Sequence, residues 1–168
     1  LYRQGRRVLL VDWDLEAPGL ESFFAHDPAE LEAIRGTSGL VDLVETYHQL
    51  WDDLSPLEGK TAGNERTVES VTERIGPINH LFWPLAGTPK EAISKRDPGI
   101  WLFHAGCRTG ASETFYRRSV NALDWGSFYD QSGGFYFVEW FRRELEKDVD
   151  FVLVDSRTGL TEMGGVCT

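Results

Sequence analysis

The chain has 168 residues, a length that suits one domain and allows a sizeable hydrophobic core. Hydrophobic residues make up 41% of it and charged residues 26%, which excludes a chain that is disordered throughout. The formal net charge of −10 argues against unspecific binding of DNA or of an anionic membrane by the whole surface. No apolar run is as long as a membrane span, so no membrane segment is expected.

The first half of the chain predicts one strand and one long helix. Residues 7–12 contain four consecutive apolar residues and end in an aspartate, as expected of a strand buried on both faces of a parallel sheet. Residues 20–25 predict a short helix, and residues 39–54 a longer one, because apolar residues recur there at spacings of three, four and seven. Residues 55–99 are polar at first and then interrupted by prolines, so we interpret them as a variable insertion or loop region with one helix at 68–75.

The second half predicts two more strands and two more helices. The strands are expected at residues 100–105 and 151–155, and the helices at 114–123 and 135–147. Strands that alternate with helices pair in parallel through crossover connections. The predicted fold class is therefore α/β, with a doubly wound, mostly parallel sheet and flanking helices. Residues 1–168 are interpreted as a single domain.

Acidic residues follow the first apolar strand, at the end where open α/β sheets place their chemistry. Asp12 and Asp14 are two residues apart, so they would point the same way if both belonged to the strand. Paired carboxylates at such a place hold Mg²⁺ through its waters or orient an attacking water. The alternative is that one aspartate caps the following turn and the other faces solvent.

The last strand also ends in an aspartate. Asp155 follows four apolar residues, which is the Walker B pattern of P-loop nucleotidases, although any buried strand with a polar end matches it. Residues 157–159 predict either a phosphate- or carboxylate-binding turn or a purely structural one. His104 lies near the end of another predicted strand, where a structural histidine is favoured over a ligand. Cys107 and Cys167 lack metal-ligand spacing and indicate reduced thiols in a cytoplasmic protein.

Two segments carry a resemblance to a known family. Residues 5–20, which include the sequence VDWDLEAPGL, closely resemble the segment after the P-loop helix in ParA/MinD-type ATPases, of the deviant-Walker, SIMIBI class. The form of this segment is similar to that of a bacterial subgroup with a variant KGGVGR-type P-loop. Residues 124–159 resemble the same subgroup in the order of their aromatic residues, glycines and final strand. The resemblance is weakest over residues 55–99.

The resemblance implies an ATP-binding, ATP-hydrolysing switch with Mg²⁺ as its metal and a nucleotide-dependent homodimer as its active form. Asp14 matches the switch I aspartate that positions the hydrolytic water, which would make it catalytic. Asp12 matches the aspartate near the Mg²⁺ coordination shell, and Asp155 matches the Walker B aspartate, both approaching the metal through water. Gly159 matches switch II, which senses the γ-phosphate. A protein partner is implied, but not its identity.

The chain departs from the family in one respect. A glycine-rich loop followed by Lys or Arg and by Ser or Thr does not occur in the sequence, whereas in the family it precedes a helix whose end resembles residues 1–5. The backbone N–H groups and the cation of that loop do most of the phosphate binding. We therefore expect a partial P-loop domain, incomplete at both ends and impaired on its own, from a parent ATPase. Loss of activity in the lineage is the other explanation.

Two further hypotheses remain from the sequence. A non-catalytic protein-interaction module on the same fold would account for the missing loop. A haloacid-dehalogenase-like phosphatase would use the Asp-x-Asp pattern with Asp12 as nucleophile, but Glu16 occupies the place of a small hydroxyl or Val residue. Nucleic-acid binding is not indicated, because aromatic and basic residues do not interleave.

Overall fold

The strands form one sheet in the part of the chain that the computed structural model describes, residues 1–58 and 63–156. Their spatial order is β2-β3-β1-β4, and all neighbouring pairs are parallel except β2 with β3. The strands are β1 (Arg7–Asp12), β2 (Trp83–Leu85), β3 (Gly99–Phe103) and β4 (Phe151–Asp155). The coarse prediction of an α/β fold with a mostly parallel sheet and flanking helices is therefore confirmed.

Helices connect and flank these strands. They are α1 (Pro28–Arg35), α2 (Leu40–Glu58), α3 (Gly63–Ile75), α4 (Ala92–Lys95), α5 (Ala111–Ala122), α6 (Trp125–Gln131) and α7 (Gly134–Asp148). Short 3-10 turns are present at Tyr2–Gln4, Leu20–Phe23 and Asn79–Leu81. None of the helices in the described ranges combines the length and the apolar character needed to cross a lipid bilayer.

Strand β1 is central, as its sequence predicts. It pairs with β3 on one side and with β4 on the other, so that Val11 lies opposite Phe103 and Val154. Leu9 and Val11 are fully buried on one face of the sheet, while Leu10 contributes to a second cluster on the other face. Four consecutive apolar residues are what a strand covered on both faces requires.

The two faces of the sheet are covered unequally. The larger core contains Leu9 and Val11 together with an aromatic group from the helices, in which the rings of Tyr47 and Phe137 lie 4.9 Å apart. On the opposite face, Ile34 of α1 packs against a smaller set of apolar residues. Helix α2 and the helices that follow β3 therefore supply most of the stabilising apolar area, because the hydrophobic effect scales with the area that is buried.

Strand β4 is more exposed than an apolar run predicts. Phe151, Leu153 and Val154 retain 39%, 49% and 47% of their accessible surface. Within the described residues β4 pairs only with β1, so one edge of the strand has no neighbour there. The composition of a strand indicates that it can be covered, whereas the number of its neighbours depends on the rest of the sheet.

Residues 55–99, predicted as a loop region with one helix at 68–75, contain that helix and further regular structure. Helix α2 continues to Glu58, α3 extends over Gly63–Ile75, and β2 adds an antiparallel edge strand to the sheet. Pro84 lies within β2, and an edge strand tolerates a proline because its outward side needs no N–H donor. Proline in this stretch therefore marks the edge of the sheet and not the absence of a strand.

Three helices were not predicted: the four-residue α4 and the longer α1 and α6. Helices α1 and α6 have 8 and 7 residues, which is too short for an apolar periodicity to be recognised. Each begins at an aspartate whose side chain accepts a backbone N–H three residues later, Asp27 from Glu30 and Asp124 from Ser127. N-capping of this kind satisfies one of the donors that a helix start leaves free.

We expect Gly39→Ala to lower the free energy of unfolding by about 1–3 kcal/mol, the usual range for overpacking. A Cβ atom at Gly39 would clash with the backbone oxygen of His104 and lie 2.6 Å from the backbone nitrogen of Gly106. Urea unfolding measures the change. Gly126→Ala is the matched control, because its new Cβ would meet only the side chain of Asp124, at 3.3 Å. Equal stability of both variants would contradict this account of the α2 start.

Candidate functional site

The carboxyl ends of β1, β3 and β4 meet at one edge of the sheet, because these strands are parallel. Asp12 and Asp155 are register partners across the β1–β4 pair. Just beyond them, the backbone N–H of Trp13 donates a hydrogen bond of 2.8 Å to the carbonyl oxygen of Asp155. Residues at the same register of adjacent strands point to the same face of a sheet. The structure therefore places the two predicted strand-end aspartates beside each other.

Asp12 is buried, with 1% of its surface accessible. Its Oδ2 atom accepts hydrogen bonds from the backbone N–H groups of Gly19 (3.1 Å) and Leu20 (3.2 Å). Its Oδ1 atom is enclosed and has no hydrogen-bond partner among the described residues. Burial raises the pKa of Asp12 to about 6, against the lowering effect of the two backbone donors. Asp12 therefore anchors the loop that follows β1.

Asp14 lies in that loop and not in the strand, since β1 ends at Asp12. The geometry in which two strand residues point the same way therefore does not apply to this pair. The Asp14 Oδ1 atom accepts a hydrogen bond of 3.2 Å from the backbone N–H of Ala17, as in the turn-capping alternative. Asp14 is partly exposed at the sheet edge. In the turn-capping alternative the other aspartate, Asp12, would face solvent, but it is buried.

Asp12 and Asp155 are the residues predicted to approach Mg²⁺ through water. No group of three His, Cys, Asp or Glu side chains in the described residues could hold a metal ion alone. Mg²⁺ typically keeps several waters and adds only one or two carboxylates and the phosphates of a substrate. Asp155 is exposed, and the Oδ1 atom of Asp12 has no protein partner in the described part of the chain. Gly159 lies outside the described residues.

A buried ionic cluster, which the sequence analysis missed, lies beside Asp12. Glu21 is fully buried, and its Oε1 atom accepts a hydrogen bond of 2.8 Å from Nε of Arg35. Nη2 of Arg108 forms an ion pair with the same oxygen at a distance of 2.8 Å. Burial by itself would raise the pKa of Glu21, but the two guanidinium groups bring it below its ordinary value.

This cluster ties three chain segments together. Glu21 belongs to the turn after β1, Arg35 ends α1, and Arg108 lies in the loop after β3. The backbone N–H of Arg108 also donates a hydrogen bond of 2.8 Å to the carbonyl oxygen of Arg35. No spacing rule connects residues so far apart in the sequence. The one local signal was that a glutamate lies among apolar residues, between Leu20 and Phe23. The periodicity of apolar residues, from which helices and strands are predicted, gives no information about such a glutamate.

His104 is a structural residue, as predicted. Its Nε2 atom lies 2.9 Å from the hydroxyl of Thr37, and its Nδ1 atom accepts a hydrogen bond of 3.2 Å from the backbone N–H of Gly106. The Thr37 hydroxyl donates its proton to the carbonyl of Ile34, so the histidine Nε2 must be the donor in their contact. Burial, assisted by the charge of Arg108, lowers the pKa of His104 to about 4, and the neutral ring satisfies both contacts.

Comparison of the chain with protein-family models, with curated proteins and with solved structures finds no significant match in any of the three. The resemblance to ParA/MinD-type ATPases therefore stays a prediction from the sequence, and so do the site roles that it implies.

We predict that the stability of Asp12→Asn and of the unchanged protein diverges with pH. Because the pKa of Asp12 is about 6 in the folded protein and 3.8 ordinarily, the folded state binds this proton more tightly between those values. The unchanged protein should then lose about 2 kcal/mol relative to Asp12→Asn as the pH rises from 4 to 7. Urea unfolding at several pH values measures this. The opposite contribution of His104 is common to both proteins and cancels. A constant difference would contradict the burial of an ionisable Asp12.

We expect Glu21→Gln to lower the free energy of unfolding by about 3 kcal/mol, because it leaves two guanidinium groups without their shared carboxylate. Thermal unfolding at neutral pH gives the change. Glu32→Gln, on the exposed side of α1, is the matched control and should stay within about 0.5 kcal/mol. If both variants have the same unfolding temperature as the unchanged protein, the ionic cluster does not stabilise the contact between the three segments.

Proposed function

We propose that this chain is the nucleotide-binding part of a ParA/MinD-like ATPase, in which Mg²⁺-ATP binds at the carboxyl ends of β1 and β4. In this proposal the sheet belongs to a doubly wound P-loop fold, and hydrolysis switches a nucleotide-dependent homodimer and its contact with a protein partner. The register pairing of Asp12 with Asp155 is the observation that carries the proposal. Two carboxylates at the ends of adjacent parallel strands are suited to the water shell of a magnesium ion.

The apolar edge of β4 supports the larger sheet that the proposal needs. Leu153 and Val154 are half exposed beside backbone groups that have no strand partner in the described residues. An additional strand covers both the side chains and the backbone of such an edge. The glycine-rich phosphate loop has no counterpart in the sequence, so the proposal assigns hydrolysis to the complete protein and not to these 168 residues.

Each aspartate would have its own task in the complete site. Bound Mg²⁺ supplies positive charge that offsets the charge of the phosphates. Asp155 and the Oδ1 atom of Asp12 would hold water ligands of the metal. Asp14 would accept a hydrogen bond from the attacking water and orient it, while Asp12 keeps the loop that carries Asp14 in place through Gly19 and Leu20.

A non-catalytic interaction module is the second candidate, and a specific observation favours it. Asp12 and Asp14 each accept hydrogen bonds from the backbone of the loop after β1. Those contacts give both aspartates a structural role that needs no nucleotide. On this hypothesis the sheet would serve contacts with a protein partner and would not bind ATP.

Hydrolysis of Mg²⁺-ATP by the full-length gene product tests the proposal. We expect slow hydrolysis that Asp14→Ala reduces by about a hundredfold or more, because the attacking water is no longer oriented. Asp53→Ala removes an exposed carboxylate from α2 and should leave the rate unchanged. Binding of a fluorescent ATP analogue is measured on the same variants and should survive in Asp14→Ala.

Two results would contradict it in different ways. Unchanged hydrolysis by Asp14→Ala would remove the catalytic role from that residue. Failure of the full-length protein to bind Mg²⁺-ATP at all would overturn the nucleotide function and favour the interaction module.

A further inference from the structure

Three arginines line a cleft of about 630 Å³ on the β3 side of β1. The cleft lies between the loop that follows β1, the end of α1 and one side of α5. Arg35 lies at the end of α1, Arg108 lies in the loop after β3, and Arg117 lies on α5. The side chains of Asp12, Asp14 and Asp155 are not among those that line this cleft.

Arg108 is held rigidly in the wall of the cleft. Its side chain is 9% exposed and its guanidinium lies 5.4 Å from the centre of the Tyr116 ring, a cation–π contact. The Tyr116 hydroxyl is fixed in turn by a hydrogen bond of 2.8 Å to the carbonyl oxygen of Leu15. A guanidinium fixed in this way loses little freedom when it binds a ligand.

One donor of Arg108 has no partner in the part of the chain that the structure describes. Its Nε atom is buried and makes no hydrogen bond there, whereas Nη2 is paired with Glu21 at 2.8 Å. Buried polar groups of folded proteins nearly always have partners, so an arginine with an unused donor in the wall of a cleft indicates a ligand.

The charges in and beside the cleft balance, with three arginines against Glu16, Glu21 and Glu113, so an anion binds there by displacing a carboxylate from an arginine. One oxygen of Glu21 faces both Arg35 and Arg108, so a single carboxylate neutralises one of two positive charges. Arg117 pairs with Glu113 at 2.8 Å, but both side chains are exposed, and surface ion pairs of this kind are weak. An incoming anion could therefore replace Glu113 as the partner of Arg117. The carboxylates of Glu16 and Glu113 line the same cleft and oppose binding.

We propose that this cleft binds a phosphate group, either free or carried by a small metabolite. The planar fork of a guanidinium matches two oxygens of a phosphate, and a doubly charged group balances the buried cation and Arg117 together. Asp155 does not line this cleft, whereas Leu15, Glu16 and Pro18 of the loop that carries Asp14 do.

Titration of the chain with inorganic phosphate and with glycerol 3-phosphate tests this, without Mg²⁺ or nucleotide and at low ionic strength. Calorimetry gives the affinity, and the side-chain Nε–H signals of arginine in NMR spectra report the site. We expect the Arg108 signal to shift. Stronger binding of inorganic phosphate indicates the free ion as ligand, and stronger binding of glycerol 3-phosphate indicates a metabolite; both support the proposal.

Matched variants separate the cleft from general attraction to basic residues. Arg117→Ala should weaken binding about tenfold, the effect of one lost charged hydrogen bond. Arg118→Ala removes the same charge from the next position of α5, which does not line the cleft, and should leave the affinity unchanged. Glu113→Gln should strengthen binding, because Arg117 loses its competing partner.

The proposal is overturned if neither phosphate shifts the Arg108 signal, if Arg118→Ala weakens binding as much as Arg117→Ala, or if succinate binds as tightly as both phosphates. All three variants change exposed residues, so the folded protein remains available for each measurement. Since nucleotide is absent from these experiments, their outcome does not depend on whether the ATPase proposal holds.

Discussion

The parallel pairing of β1 with both β3 and β4 is the constraint on which the rest of the described structure depends. Because all three strands run in the same direction, their carboxyl ends lie at one edge of the sheet. Apolar side chains on both faces of β1 make its central position favourable. Every polar group of the candidate site is therefore placed by the burial of a short hydrophobic strand.

That arrangement brings ionisable groups into the interior, and each is stabilised in a different way. Glu21 is paired with arginines, His104 stays neutral between two hydrogen bonds, and Asp12 binds two backbone N–H groups but keeps one oxygen without a partner in the described residues. Buried charges without such compensation are strongly unfavourable. The balance explains why the loop after β1 has a defined shape although it contains Pro18 and Gly19.

The candidate site was predicted in part. Asp12, Asp14 and Asp155 were found from the sequence because a polar residue at the end of an apolar run is a local pattern. Which of them is buried was not predicted, since this depends on where β1 ends and on which N–H groups face Asp12. Arg108 and Glu21 were not predicted, because their contact joins residues that only the folded chain brings together.

The sequence by itself determined β1, β4, the long amphipathic helices and the α/β class, all of which follow from the spacing of apolar residues along the chain. Only the tertiary structure decided the strand order, the antiparallel edge strand β2, the half-exposed state of β4 and the ionic cluster at Glu21. The physical reason is the range of the interactions. Periodicity reports which face of an element is apolar, whereas pairing, exposure and ion contacts depend on which distant segments meet that face.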